Sequence, residues 1–216
     1  MATDRLDEYL ETIYKLEQEE HHVRSVQVSS HLNVSPPSAS EMLGRMHDNG
    51  YINIKKGSVC LTKKGEKAAK KIIRKHRLSE RFLVDLLGMS IEEAHDEACK
   101  LEHAISDKVE ESLAKKLGEP STCPHGHPIP DKHGKILAEK LVKLDSLKNG
   151  DQAVIKQVYE EDSKMLQYLA SLGLLPETKI KVIETAPFGG PIMIQVAKAK
   201  YALGQTIASR IEVKKK

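Results

Sequence analysis

The 216-residue chain has no tryptophan, two phenylalanines (Phe82 and Phe188) and three cysteines. Cys60, Cys99 and Cys123 are odd in number and far apart, which argues against a disulfide framework and for reduced thiols or metal ligands. No apolar run approaches the roughly 18 residues of a membrane-spanning helix, and the opening MATDRLDEYL lacks the apolar stretch of a signal peptide. A cytoplasmic protein without membrane contact is expected. Neither an HEXXH nor a Gly-X-Ser-X-Gly motif occurs, so two common hydrolase signatures are missing. A large net charge is absent as well: the balance is +3, with 30% of residues charged and 39% hydrophobic, which is ordinary for a soluble protein.

What is present is an uneven distribution of that charge. From Lys55 to Arg77 ten Lys or Arg residues stand against one acid, Glu66; from Leu78 to Glu119 eleven acids stand against five bases. Positive potential beside negative potential suits a polyanion partner next to a cation site, although two solvated helix faces give the same count. The length allows one large domain or two to three small ones. Pattern favours three: residues 1–74, 75–131 and 145–216.

In the first segment, Leu6, Tyr9, Leu10 and Ile13 share one helical face between Asp4 and Gln18. A short helix starts near Ser25, and another runs from Ser35-Pro-Pro-Ser to Met46, with Ser35 as N-cap, Pro36 as first helical residue and Asn49-Gly50 as stop. YINIKKGSVCLTKKG then alternates and turns at Lys56-Gly57-Ser58, a small hairpin. Together these elements predict a winged helix-turn-helix. The exposed side of its second short helix offers Ser35, Pro37, Ser38, Ser40, Glu41 and Arg45 to double-stranded DNA, and the hairpin offers Lys55 and Lys56 to phosphates.

From Glu66 to Leu117 the chain reads as helical, with a break near Gly88-Met89-Ser90. Ser90 then caps a helix running through IEEAHDEACKLEHAISDKVEESL. Within it His95, Cys99, Glu102 and His103 fall inside an arc of roughly 100°, beside an apolar stripe of Ala94, Ala98, Leu101, Ile105 and Val109. His76 and Glu80 form an i, i+4 pair on the preceding helix. Imidazole, thiolate and carboxylate together suit a first-row transition metal rather than Mg²⁺ or Ca²⁺. In the connector EPSTCPHGHPIPDKHGK, Cys123, His125 and His127 have ligand-like spacing, but their Pro and Gly neighbours also describe a plain rigid turn, which is the reading preferred from the residues. After Asp145 short β-prone runs (QAVIKQV, KIKVIETA, PIMIQVAKA, RIEVK) separated by turns predict a small β-barrel.

The ordered set ETIYKLE, SPPSASEML, RKHRLSERFL, HDEACKLEH with SDKVEE, and CPHGHPIP resembles the diphtheria toxin repressor family of iron- and manganese-dependent regulators. The run LASLGLLPETKIKVI is similar to the SH3-like domain that many members append. The resemblance implies a mainly α protein with a β C-terminal domain: a winged helix-turn-helix, a helical metal-binding and dimerisation domain, and an SH3-like barrel. It places an activating site at Glu8, Cys99, Glu102 and His103, and an ancillary site at His76, Glu80 and His95. Asp162, with Glu161 as alternative, is the implied carboxylate from the SH3-like domain. Glu8 and Glu11 match manganese-type members and Cys99 matches iron-type ones. Cys99 points to Fe²⁺ with Mn²⁺ the alternative, and other divalent transition metals are expected to substitute in vitro.

The implied function is transcription repression by a homodimer that divalent metal activates to bind palindromic operators of metal-uptake genes. Neither catalysis nor a small-molecule substrate is expected. Two rival readings are a small metal-dependent hydrolase and a thiol-redox regulator acting through Cys99 or Cys123.

Overall fold

The computed structural model describes residues 2–19, 22–137, 139–159 and 162–216, and its chain divides into two compact units. Glu161 lies outside the described residues. No helix among them is long and apolar enough to cross a membrane.

The first unit comprises residues 1–76, 102–105 and 130–135. It holds α1 (Ala2–Glu19), β1 (Val23–Arg24), α2 (Ser25–His31), α3 (Pro36–Asp48), β2 (Ile52–Lys55), β3 (Ser58–Leu61), and the part of α4 (Lys63–Arg81) up to His76. The predicted start of α3 is local chemistry: Ser35 Oγ accepts from Ser38 N at 3.3 Å, and Pro36 takes the first position, where its missing N–H costs nothing. Ala39, Leu43 and Met46 are buried, which fixes the opposite face as the solvent face. The three strands pair antiparallel in the order β1-β3-β2. Lys56 and Gly57, at φ 50° and 78°, make the hairpin turn, two consecutive left-handed residues that match the twist of the flanking strands. Two contacts tie this head together. Leu61 N donates to Glu17 Oε1 at 2.9 Å, joining α1 to the wing, and Gly65 lies so close to Tyr51 that a Cβ there would collide with the Tyr51 carbonyl.

The second unit comprises residues 77–101, 106–129 and 136–216. Its helical part contains the end of α4, a π turn (Phe82–Leu86), α5 (Ile91–Leu101) and α6 (Asp107–Lys116). Leu83, Ala94 and Ala98 form one small apolar cluster, and Leu78, Ala114 and Ile129 another. The single helix expected from Ile91 to Leu113, capped by Ser90, is two helices. Ser106 Oγ accepts from Val109 N, and Asp107 and Glu110 fill the first turn of α6, so a new helix phase begins there. That reset leaves Val109 46% exposed instead of continuing the stripe of Ala94 and Ala98. It also places Glu102 and His103 in the turn after α5 rather than on it.

The rest of this unit contains β4 (Val142–Lys143), β5 (Gln152–Val158), α7 (Ser163–Ser171), β6 (Lys179–Thr185), β7 (Ile192–Val196), β8 (Ala199–Leu203), α8 (Gln205–Ala208) and β9 (Ile211–Lys215). The strands form one antiparallel sheet in the order β4-β9-β5-β6-β7-β8, with bulges at Ile155/Gln157 and Val182/Glu184 that bend it. Every second residue faces one core: Ile155, Ile180, Val182, Ile192, Ile194, Leu203, Ile211 and Val213, closed by Leu166 and Leu169 of α7. PIMIQVAKA, read as one run, folds back at Ala197 (φ 51°) into the β7–β8 hairpin. α7 was not anticipated. Its Leu166 and Leu169 are spaced as a helix, but the run is too short for periodicity to separate from a strand.

Candidate metal centres and nucleic-acid interface

In the first unit, α1, α4 and the turn at residues 102–105 bring polar groups to one place. His76, 1% exposed, contacts Glu102 Oε2 through Nδ1 at 2.7 Å, and Glu102 is itself 4% exposed. One ligand atom each from Glu11, His76 and Glu102 lie within 4.8 Å of one another. His103 joins them, with Nε2 3.2 Å from Glu102 Oε1 and Nδ1 3.6 Å from Asp7 Oδ2. Burial pushes the Glu102 carboxyl above the ordinary carboxylate range. The hydrogen bond from His76 works against that rise, and the nearby charge of Glu11 adds to it.

Glu8 is exposed and belongs to no cluster of possible ligands among the described residues; Asp7 and Glu11 face this site instead. Sequence reasoning missed Asp7, although its i, i+4 relation to Glu11 was the available signal. The donors fit a divalent transition ion. Bonds of about 2.0–2.2 Å put the ligands of one ion roughly 3–4 Å apart. His103 Nδ1 is buried with no hydrogen-bond partner among the described residues, so this crowd of acids leaves an imidazole nitrogen to be satisfied.

A second cluster stands in the other unit. Glu80 on α4 is fully buried, and its Oε1 lies 3.2 Å from His95 Nδ1 and 3.1 Å from His125 Nδ1. Ligand atoms of Glu80, Cys123 and His125 lie within 4.8 Å of one another, and all three residues are buried. His125 Nε2 sits 3.2 Å from the Ile91 carbonyl, which can only accept, so this nitrogen carries the proton. Nδ1 faces the Glu80 carboxylate oxygen at 3.1 Å and has no hydrogen-bond partner among the described residues. A cation placed among Nδ1, Glu80 and Cys123 would satisfy all three donors.

Cys99, at the exposed end of α5, has its Sγ 3.8 Å from His95 Nε2. Asp162 is used differently from the expectation. Its Oδ1 accepts from Lys164 N and Met165 N at 3.0 and 3.1 Å, capping α7, because a helix start must satisfy its amides. Among the described residues Asp162 joins no ligand cluster, and Met165 packs against the sheet's apolar core. Arg77 and Arg81 hold the connector by donating to the Pro128 and Thr122 carbonyls at 2.6 and 2.7 Å.

On α3 the residues Ser35, Pro37, Ser38, Ser40, Glu41 and Arg45 are all exposed, and Lys55 and Lys56 are exposed at the wing tip. Arg45 and Glu41 pair at 2.7 Å in full solvent, an interaction worth about 0–1 kcal/mol that an incoming phosphate or base edge can replace. The arrangement is a helix face and a basic hairpin tip of the kind that enters a groove and grips its backbone.

Comparison with known proteins agrees with both features. Residues 1–58 match the family described as iron dependent repressor, N-terminal DNA binding domain. Residues 62–131 match iron dependent repressor, metal binding and dimerisation domain, and residues 142–215 match the FeoA domain. The chain is 34% identical over 225 residues to the iron-dependent repressor IdeR of Mycobacterium leprae, covering 98% of this chain and 97% of that protein. It is 40% identical over 119 residues to the diphtheria toxin repressor of Corynebacterium diphtheriae, covering 55% and 53%. Among solved structures, a manganese-dependent transcriptional repressor in complex with manganese superposes with a TM-score of 0.93 at 32% identity, covering 98% of this chain and all of that one. ScaR with bound Cd²⁺ superposes with a TM-score of 0.87 at 33% identity, covering 98% and 99%. With a helix-turn-helix head, buried clusters of potential metal ligands and matches along almost its whole length, the chain belongs to the diphtheria toxin repressor family of metal-dependent transcription repressors.

Proposed function

We propose that this repressor is activated by Mn²⁺, with Fe²⁺ the alternative, and that the metal is held at Asp7, Glu11, His76, Glu102 and His103. The observation that carries this reading is the convergence of Glu11, His76 and Glu102 within 4.8 Å, an oxygen-rich set with imidazole that suits Mn²⁺ or Fe²⁺. It reverses the preference for iron drawn from Cys99. The solved manganese-dependent repressor and the iron-dependent IdeR bracket the same choice.

A bound divalent cation supplies the positive charge that offsets the buried carboxylates of this cluster. The chain's own residues do the rest. Asp7 and Glu11 draw α1 towards the turn bearing Glu102 and His103, and α1 holds the wing through Glu17 and Leu61 N. Fixing α1 therefore fixes the head that presents Ser38, Arg45, Lys55 and Lys56. In a homodimer two such heads read the half-sites of a palindromic operator, for which genes of metal uptake in the bacterial cytoplasm are the natural targets. Glu80, Cys123 and His125, with His95, hold a second ion. The protein binds and does not turn over substrate.

Operator affinity measured anaerobically across Mn²⁺, Fe²⁺, Co²⁺, Ni²⁺ and Zn²⁺ tests the assignment. Replacing Glu102 or His103 by Ala is expected to abolish metal stimulation while leaving the fold intact. Unchanged stimulation rejects the cluster as the activating site.

A further inference from the structure

From Lys179 to Lys216 eight Lys or Arg residues stand against two acids, Glu184 and Glu212. The strand register gathers part of that charge on one face of the six-stranded sheet. Lys181 on β6 pairs with Gln195 on β7, and Gln195 pairs with Lys200 on β8, so all three point to the same side. Lys179, two residues before Lys181, shares that side, while Ile180, Val182 and Ile194 fill the core behind it. On the other flank of β6 the partners of Lys179 and Lys181 are Val154 and Gln152 of β5, neither of them acidic. Lys179, Lys181 and Lys200 are exposed, as is Lys198 in the β7–β8 turn, and none of the four has an ion-pair partner among the described residues. Lys156, Lys214 and Lys215, by contrast, pair with Glu177, Glu139 and Asp151.

Strand geometry puts Lys179 and Lys181 roughly 7 Å apart along β6, and Lys200 roughly 10 Å from Lys181 across two strand spacings. These separations are close to the Debye length of about 8 Å at physiological salt, so the three potentials add. Lysine is depleted from strands, and its usual service there is to block pairing at an exposed edge. That reason covers Lys200 on the edge strand β8. It does not extend to Lys179 and Lys181, because β6 lies between β5 and β7. We propose that this face is a second DNA contact, independent of sequence, that grips backbone phosphates. With no arginine or aromatic ring among them, its lysines suit phosphates rather than bases. Duplex DNA is the polyanion at hand, since the same chain carries the α3 head and tethering raises the local concentration of whatever that head holds. An anionic bilayer is the poorer match: among the described residues no exposed large apolar side chain stands on this face to insert. The contact adds affinity for any duplex and so holds the protein on DNA between operators.

Full-length protein is titrated with a duplex lacking the operator at 50 to 200 mM salt. Combining Lys179→Gln, Lys181→Gln and Lys200→Gln should lower the slope of log K against log[salt] by about 2.7 for each chain engaged, at roughly 0.9 per phosphate. Across that fourfold rise in salt, native protein should then lose about 40-fold more affinity than the variant for each chain engaged. Replacing the same three lysines by Arg, which conserves charge, should keep the native slope, as should Lys148→Gln, outside the strands of the sheet. Acetylation followed by mass spectrometry gives a readout on native protein: the duplex should protect Lys179, Lys181 and Lys200 and leave Lys148 unchanged. Equal slopes in native protein and the Gln variant overturn the proposal. So does protection of these lysines by phosphatidylserine vesicles but not by duplex.

Discussion

Replacing Glu102 by Gln separates metal binding from fold stability in the activating cluster. The side chain is 4% exposed, and burial raises its carboxyl above the ordinary range, so its charge is expensive to keep in the metal-free protein. Gln preserves the volume and an oxygen that can still accept from His76 Nδ1. Metal-free stability should therefore be unchanged or higher. With metal the sign reverses, because a charged ligand is gone. A 100-fold loss of affinity removes about 2.3 kcal/mol of stabilisation at a metal concentration 100 times the native Kd. For a chain of this size each kcal/mol moves Tm by roughly 2–4 °C, so the metal-induced rise in Tm should shrink by about 5–9 °C. Differential scanning calorimetry with and without Mn²⁺ reads both effects. A variant that keeps the full Mn²⁺-induced shift, or that melts well below native protein without metal, refutes the placement of Glu102 at the centre of the site.

Further expectations follow from particular side chains. Asp7→Asn should weaken Mn²⁺-stimulated operator binding by 10-fold or more, on the order of the 10–100-fold cost of disturbing a metal site. Glu8→Gln, on the exposed side of α1, should leave that binding unchanged, and equal effects in fluorescence anisotropy would contradict the geometry. Replacing Lys55 and Lys56 together by Gln should reduce the slope of log K against log[salt] for operator binding by a homodimer by about 4, since each neutralised phosphate contributes roughly 0.9 and two wings are affected. Burial raises the Glu17 carboxyl, the Leu61 N–H partly opposes this, and the charge of Glu66 adds to it. The native state then holds its proton more tightly than the unfolded chain, so stability falls as pH rises from the ordinary carboxylate value through the raised one; Glu17→Gln should flatten that slope in urea melts. Finally, Gly65→Ala, which in an open helix stabilises by about 1 kcal/mol, should here destabilise by roughly 1–3 kcal/mol because the new Cβ meets the Tyr51 carbonyl.

Elements governed by local chemistry were legible in the sequence. α3 begins at Ser35-Pro36 and ends at Asn49-Gly50 because a cap, a proline and a left-handed glycine each act within a few residues of themselves. The four β-prone runs were legible for the same kind of reason, since alternation needs only one buried face. What failed depended on events between segments. One helical stripe joined His95 and Cys99 to Glu102 and His103, but Ser106 starts a new helix and moves the last two into a turn. On α1 periodicity gave the apolar face of Leu6, Tyr9, Leu10 and Ile13, yet which acid meets His76 or His103 is decided by α4 and by residues 102–105, far along the chain. Cys123 and His125 read more readily as parts of a plain turn. The arbiter is the Ile91 carbonyl, which fixes the His125 proton on Nε2 and leaves Nδ1 facing Glu80.

The two clusters differ in donor chemistry, and the difference divides their roles. Asp7, Glu11 and Glu102 with two imidazoles make an oxygen-rich set, where affinities for Mn²⁺ and Fe²⁺ are modest and geometry decides. Cys123 adds a thiolate to Glu80 and His125, and a thiolate always ranks Zn²⁺ above Mn²⁺ by raw affinity. Discrimination among metals is therefore better placed in the first cluster, in the unit that also carries α3 and the wing. The second cluster, buried at Glu80, is better suited to a persistent ion. A site that tolerates several metals without changing the reading head serves structure. Under the proposed function, the site that holds α1, and through Glu17 the wing, is the one placed to sense metal.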